Sequence, residues 1–198
     1  MNNAKLCLIG LRGFAGSGKD SVGKYLIDNY QFKKIAFADP LKEVCSIISG
    51  WPLPLLNGDT KEFRDQRETL IHPIYGKTPR QLLQFVGTDL FRKHLDPNIW
   101  INIIDNRINQ YSNEGYNRIV ITDVRFPNEA NLIQKHGGYI ITVTRQNNDI
   151  NITTEAASHE SEQSFPIQSE IILQNDKSLN DLYCSIQDLI NSNKINIT

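Results

Sequence analysis

Eight residues, Gly13-Phe14-Ala15-Gly16-Ser17-Gly18-Lys19-Asp20, constrain this chain more than any other stretch. They follow an apolar run, Leu6-Cys7-Leu8-Ile9, and precede Val22, Tyr25, Leu26 and Tyr30 at helical spacing. Strand, glycine turn, then helix is the context in which a phosphate-binding loop forms. Glycines let the backbone curl so that several N–H groups aim at one spot. The helix N-terminus adds free N–H groups and partial positive charge. Gly13, Ala15, Gly16, Ser17, Gly18, Lys19, Asp20 and Ser21 are therefore the candidate nucleotide-binding residues, with Lys19 supplying charge to the β- and γ-phosphates. The plain alternative is a structural turn with a surface lysine, which would need neither the strand nor the helix. The position after the lysine usually carries a Ser or Thr hydroxyl for Mg²⁺; here it is Asp20. An aspartate there can hold a metal, directly or through water. It can equally receive a proton from an attacking hydroxyl or orient it.

Apolar runs at Lys5–Leu11, Lys34–Ala38, Arg118–Asp123, Tyr139–Thr144 and Glu170–Gln174 read as strands. Helical segments alternate with them: Asp20–Tyr30, Asp39–Ser49, one opening at Thr78-Pro79, one after Asp96-Pro97, Asn128–His136 and Ser178–Ile190. Three of these open with a polar residue followed by proline, a cap and a first-turn residue with no N–H to lose. Trp51 to Lys77 shows no sustained period and reads as a functional loop or flap, and Gln146 to Gln168 as a second loop region. Alternating strands and helices predict an α/β sandwich with a parallel sheet. Ligands in such sheets bind beyond the C-terminal strand ends. The glycine loop, Asp39, Asp123 with Arg125, and Arg145 all lie there, and one cleft is expected to collect them.

Asp123 ends an apolar strand where a carboxylate can hold a Mg²⁺ shell or accept a proton. Arg125, two residues on, can clamp a phosphate bidentately. The competing reading makes Asp123 a helix cap and pairs Arg125 with Glu129. Arg64, Arg67, Arg80 and Arg92 form a basic group between strands two and three, of the kind that phosphoryl transfer uses for charge stabilisation. Each reads equally well as a solvated surface charge, and Arg80 stands out because Thr78 and Gln81 flank it at a helix start. Trp51, Phe85 and Trp100 read as packing rather than base stacking. His159 in Ser158-His159-Glu160-Ser161-Glu162 has no nucleophile to serve as base, so a lid position is preferred.

The length, 198 residues, suits one well-buried domain, and a net charge of −1 offers no global attraction to nucleic acid or an anionic membrane. The three cysteines, Cys7, Cys45 and Cys184, are too scattered for a disulfide framework or a metal site. With no apolar leader or membrane-length run, a cytoplasmic location is expected.

Taken together, several motifs resemble the deoxynucleoside monophosphate kinases of phages and large DNA viruses. They are the loop ending in Gly18-Lys19-Asp20, Phe37-Ala38-Asp39-Pro40-Leu41-Lys42, Thr78-Pro79-Arg80-Gln81-Leu82-Leu83-Gln84 with Gly87-Thr88, Asp123-Val124-Arg125-Phe126-Pro127-Asn128-Glu129, and Ser158 to Glu162. The resemblance covers nearly the whole chain in order, and in that family aspartate replaces the usual hydroxyl residue. It implies a P-loop kinase three-layer sandwich with a five-stranded parallel core (1–38, 118–145 and 170–198). A helical monophosphate-binding insertion (about 39–117) and a lid (about 146–169) complete the single domain. The implied activity is transfer of the ATP γ-phosphoryl group to a deoxynucleoside 5′-monophosphate with Mg²⁺. Asp20 and Asp123 become metal-shell candidates, and Lys19, Asp20, Arg80 and Arg125 the catalytic set. Arg145 joins the donor side. Asp39, Lys42, Arg64, Arg67, Arg80, Gln84, Asp123 and Arg125 become substrate contacts. Many such kinases are dimers, so a homodimer is the partner expectation besides the monophosphate. A phosphomevalonate-type kinase shares the Gly-Lys-Asp and Ala-Asp-Pro-Leu-Lys features, and a nucleotide-regulated ATPase or binding module is the rival from another class.

Overall fold

The computed structural model describes residues 6–14, 16–145 and 170–197. Five strands, β1 (Cys7–Arg12), β2 (Lys33–Ile35), β3 (Arg118–Ile121), β4 (Tyr139–Thr144) and β5 (Ile171–Gln174), form one sheet in the order β2-β3-β1-β4-β5. Every neighbouring pair is parallel. The expected α/β architecture with a five-stranded parallel sheet is therefore the one observed. β1, buried at every residue but its last, sits in the middle, as a strand buried on both faces must.

By internal packing the chain divides into two compact units, residues 1–36 with 104–198, and residues 37–103. In the first, the sheet packs on one face against α1 (Lys19–Tyr30) and the closing helix α8 (Leu179–Asn191). Leu26, Leu182 and Ile186 there meet Ile9, Leu11, Ile141 and Val143. The other face receives α7 (Pro127–Lys135). A Cβ on Gly10 would lie 2.3 Å from the Ile133 side chain, so glycine at mid-strand lets the helix approach. Arg118 ties the N-terminal edge of the sheet together, donating to the carbonyls of Ile197 and Tyr30.

The second unit is helical. α2 (Ala38–Ser49) is followed by α3 (Leu53–Asn57), α4 (Lys61–Thr69) and α5 (Pro79–Gln84), and a π-helical stretch (Phe85–Arg92) leads to α6 (Ile99–Asn113), which crosses into the first unit. Its small core joins Cys45, Leu56, Leu82 and Val86. Trp100 is buried here, its indole N–H donating to the Gly87 carbonyl at 3.0 Å, which is packing rather than base stacking.

Four sequence expectations need correcting. Trp51 to Lys77 is not one aperiodic loop: α3 and α4 occupy most of it. α3 is too short to show a period, and α4 buries none of its residues, so no apolar stripe betrays it. β2 stops at Ile35, short of Ala38. Asp39 is not a cap but lies in the first turn of α2, with Phe37 at the cap position. Asp96-Pro97 forms a turn ahead of α6, the Asp96 side chain accepting the Asn98 N–H at 2.8 Å.

Burial pushes the Cys7 thiol up to about 11, against the opposing pull of Arg118, and the Cys45 thiol up to about 12. Both stay protonated at neutral pH, so neither supplies a thiolate nucleophile.

Candidate functional site

The glycine loop leaves β1, and Asp123 lies just beyond β3, the strand paired to β1 with Gly10 opposite Ile121. From β1 the chain runs outward to β2, and from β3 it crosses β1 to reach β4. β1 is therefore where the winding changes direction, the place where open parallel sheets receive ligands. The segment after β3 stays stitched to the sheet: Thr122 N–H donates to Ile35 O at 3.3 Å and Val124 N–H to Leu11 O at 3.0 Å. Asp123 is thus held, half-buried, beside the base of the loop.

Three loop glycines have positive φ: Gly13 at 148°, Gly16 at 77° and Gly18 at 104°. Two are also sterically required. A Cβ at Gly13 would lie 2.5 Å from both Ser17 Oγ and the Val143 carbonyl, and one at Gly18 would lie 2.4 Å from Asn175 Nδ2. Gly18 caps α1 without any side-chain bond, so the helix leaves its first N–H groups for something else. Ser17 Oγ is fully buried with no hydrogen-bond partner. A buried hydroxyl normally has one, and an acceptor oxygen from a bound group would supply it. Uncapped N–H groups, an orphaned hydroxyl and a tight backbone turn that admits no Cβ at Gly13 or Gly18 fit a phosphate.

Lys19 is nearly buried, its side chain 14% exposed, while the Asp20 side chain is 82% exposed. Their charged atoms stand 3.5 Å apart. Asp20 therefore lies at the loop's mouth, where a cation or an incoming hydroxyl has access. Ser21 follows in the first turn of α1. Ala15 falls outside the described residues, as do the expected lid (146–169) and His159. Arg145 is exposed at the C-terminal end of β4.

In the Asp123-Val124-Arg125-Phe126-Pro127-Asn128-Glu129 run, sequence reading offered Glu129 only as a partner for the Arg125 charge, and the structure adds a main-chain role. Glu129 is 2% exposed, and its Oε2 accepts the backbone N–H of Arg125 at 2.6 Å and of Phe126 at 3.1 Å. The carboxylate binds the main chain under Arg125 and sets where that exposed side chain starts. An acid three residues into a helix that opens at Pro127 was the available signal. Asn175 was missed altogether. It stands one residue past β5, is 8% exposed, and its Nδ2 donates to the Ser17 carbonyl at 2.8 Å. No motif pointed to it, because its partner lies 158 positions away.

The remaining sequence candidates belong to the helical unit. Arg80 opens α5 beside a reciprocal cap, in which Thr78 Oγ1 accepts Gln81 N–H and Gln81 Oε1 accepts Thr78 N–H. Its Nε is 2.7 Å from both Glu68 oxygens. Arg64 and Arg67 of α4 donate to the Gly58 and Asn57 carbonyls, closing the C-terminal end of α3. Gln84 Nε2 is buried with no hydrogen-bond partner, a second orphaned donor. Asp39 and Lys42 sit half-buried near the start of α2. Each of these is placed within its own unit.

Among the described residues no group of three or more His, Cys, Asp or Glu could hold a metal by itself. Mg²⁺ does not need one, since it takes one or two carboxylates and completes its shell with phosphate oxygens and water. Asp20 and Asp123 suit that donor set. No helix among the described residues is long and apolar enough to cross a membrane.

Comparison with known proteins points the same way. A family model described as deoxynucleotide monophosphate kinase matches residues 59–186. A candidate deoxynucleotide monophosphate kinase of Acanthamoeba polyphaga mimivirus is 36% identical, over 91% of this chain and 94% of that protein. The deoxynucleoside-5′-monophosphate kinase of Escherichia phage T5 is 29% identical, over 65% of this chain and 72% of its own length. Among solved structures, TT1252 from Thermus thermophilus shares the fold, with a TM-score of 0.54 at 16% identity, over 94% of this chain and 97% of that one.

Proposed function

The chain belongs to the deoxynucleotide monophosphate kinase family, and from that premise we propose that it transfers the γ-phosphoryl group of ATP to a deoxynucleoside 5′-monophosphate in the presence of Mg²⁺. The observation that carries this reading is the glycine loop, with its sterically required glycines, uncapped helix start and orphaned Ser17 hydroxyl. Phosphoryl transfer asks a protein mainly for positioning and for charge aimed at the equatorial oxygens. In this reading the loop backbone from Gly13 to Gly18 holds the donor phosphates, and Lys19 follows the γ-phosphoryl group through transfer. Asp20 and Asp123 would hold Mg²⁺, which would supply charge neutralisation at the phosphates.

Arg125, with its main chain fixed by Glu129, and Arg145 are assigned to the phosphates at the strand ends. Asp39, Lys42, Arg64, Arg67, Arg80 and Gln84 are assigned to the monophosphate. Gln84 Nε2 supports that assignment, because a buried unpaired donor costs about 1–3 kcal/mol unless a ligand uses it. Arg80 must share its guanidinium with Glu68 to serve there. The insertion and the lid keep the roles that the family resemblance gives them.

An acceptor panel tests the proposal. With ATP and Mg²⁺, at least one of dTMP, dGMP, dCMP and 5-hydroxymethyl-dCMP is expected to turn over to the diphosphate. Turnover of phosphomevalonate alone would assign the chain to the other acceptor class. DNA-stimulated ATP hydrolysis without any acceptor would make it an ATPase.

A further inference from the structure

We infer that Asn175 is a positioning residue for the donor phosphates, acting through the peptide that joins Ser17 to Gly18. The inference rests on the phosphate-loop reading above. Asn175 is fixed from two directions: its backbone N–H donates to the Thr144 carbonyl at 2.8 Å, and its Nδ2 donates to the Ser17 carbonyl, also at 2.8 Å. The first bond anchors it to the end of β4, a strand paired on both sides, with β1 and β5. The second reaches the phosphate loop.

A trans peptide is planar, with its carbonyl and its N–H pointing in opposite directions. Holding the Ser17 carbonyl toward Asn175 therefore turns the Gly18 N–H away from Asn175. The Gly18 N–H begins the row of donors at the N-terminus of α1, where a phosphate is received. The same side chain accounts for the glycine itself, because Nδ2 fills the space a Gly18 Cβ would need, 2.4 Å away. A residue at φ 104° with no side chain is otherwise free to flip its preceding peptide. At 8% exposure the amide–carbonyl bond is shielded from water, which makes breaking it costly. Asn175 thus orders one phosphate donor before any nucleotide arrives, and preorganised donors are the effective ones.

The test measures ADP affinity by calorimetry and steady-state kinetics on the full chain, as parent, Asn175→Ala and Asn175→Asp. Aspartate keeps the volume and removes the donor; alanine removes both without adding charge. Both variants are expected to weaken ADP binding and raise the KM for ATP about tenfold, the effect of losing one buried hydrogen bond. The KM for the monophosphate is expected to stay within twofold, a split that general loosening of the fold would not produce. ADP affinity within twofold of the parent in both variants, whatever the change in Tm, overturns the inference. If neither variant folds, proton exchange in the parent decides. Slow exchange of the Asn175 side-chain amide without nucleotide supports the inference, and exchange at the rate of a free amide overturns it. A parent that binds no ADP sinks the phosphate-loop reading and this inference together. A parent that binds, with variants that match it, sinks this inference alone.

Discussion

In the sheet unit, the side chains that bury one another come from remote parts of the chain: Ile9 and Leu11, Val120, Ile141 and Val143, then Leu182 and Ile186. In the helical unit, order is local and largely polar. Arg64 and Arg67 close the helix just before their own, and Thr78 and Gln81 cap each other. His72 holds a short loop by accepting the N–H groups of Ile74 and Tyr75 at Nδ1 and donating from Nε2 to Ser49 O. Large apolar side chains are left in water there, Ile47 at 83% and Ile74 at 80% exposure. The difference bears on function. The loop proposed to hold phosphates hangs from the sheet, the more cross-braced of the two units. Many of the candidate substrate residues stand on elements secured by a few nearby hydrogen bonds.

The largest effect expected anywhere is at the phosphate loop. Lys19→Ala should lower kcat/KM by about 10²–10³-fold, the cost of one lost transition-state charge contact, with an unchanged circular dichroism spectrum. A rate within tenfold of the parent would remove the sheet unit from the chemistry. Next comes stability. Leu26→Ala, at a fully buried position, is expected to cost about 2–5 kcal/mol in denaturant unfolding. His72→Ala should cost about 1–3 kcal/mol and open the 70–77 loop to limited proteolysis. Equal costs for the two would erase the contrast between a cross-braced core and a locally tied one.

That contrast also explains what could be read beforehand. β1, β3, β4 and β5 were legible because each is a short, largely apolar run, and the loop because glycine, lysine and helical spacing coincide at Gly13 to Asp20. α4 was not, because it runs from Lys61 to Thr69 with no buried face; only its Thr60 cap, accepting the Phe63 N–H at 3.1 Å, marks where it begins. β2 was overextended because Ala36 and Phe37 are buried as strand residues would be, although the strand has already ended. Among the candidate site residues, Lys19 and Asp123 are marked in the sequence by type and position. Asn175 could not, because a lone Asn after a strand has dozens of readings until the fold sets it against Ser17.

The smallest effect separates two versions of one device. α5 and α8 both open with a reciprocal cap, Thr78 with Gln81 in the helical unit and Ser178 with Asp181 in the sheet unit. Gln81 cannot titrate. Asp181 can, and hydrogen bonds from Ser178, with the nearby Lys177 charge, hold its carboxyl below the usual carboxylate range. A depressed carboxyl pKa means that the folded state prefers the charged form. Its stabilising contribution is therefore fully present above the ordinary aspartate pKa and disappears as pH falls through the lowered value. Asp181→Asn should lower Tm slightly at pH 7, and the difference from the parent should close as pH drops below the carboxylate range. Gln81→Ala, which costs about 0.5–1 kcal/mol, should show the same deficit at both pH values. The measurement is three Tm-against-pH curves, one for each variant and one for the parent. Parallel curves for Asp181→Asn and the parent would mean that the carboxylate's charge adds nothing to that cap, and that the two caps are equivalent.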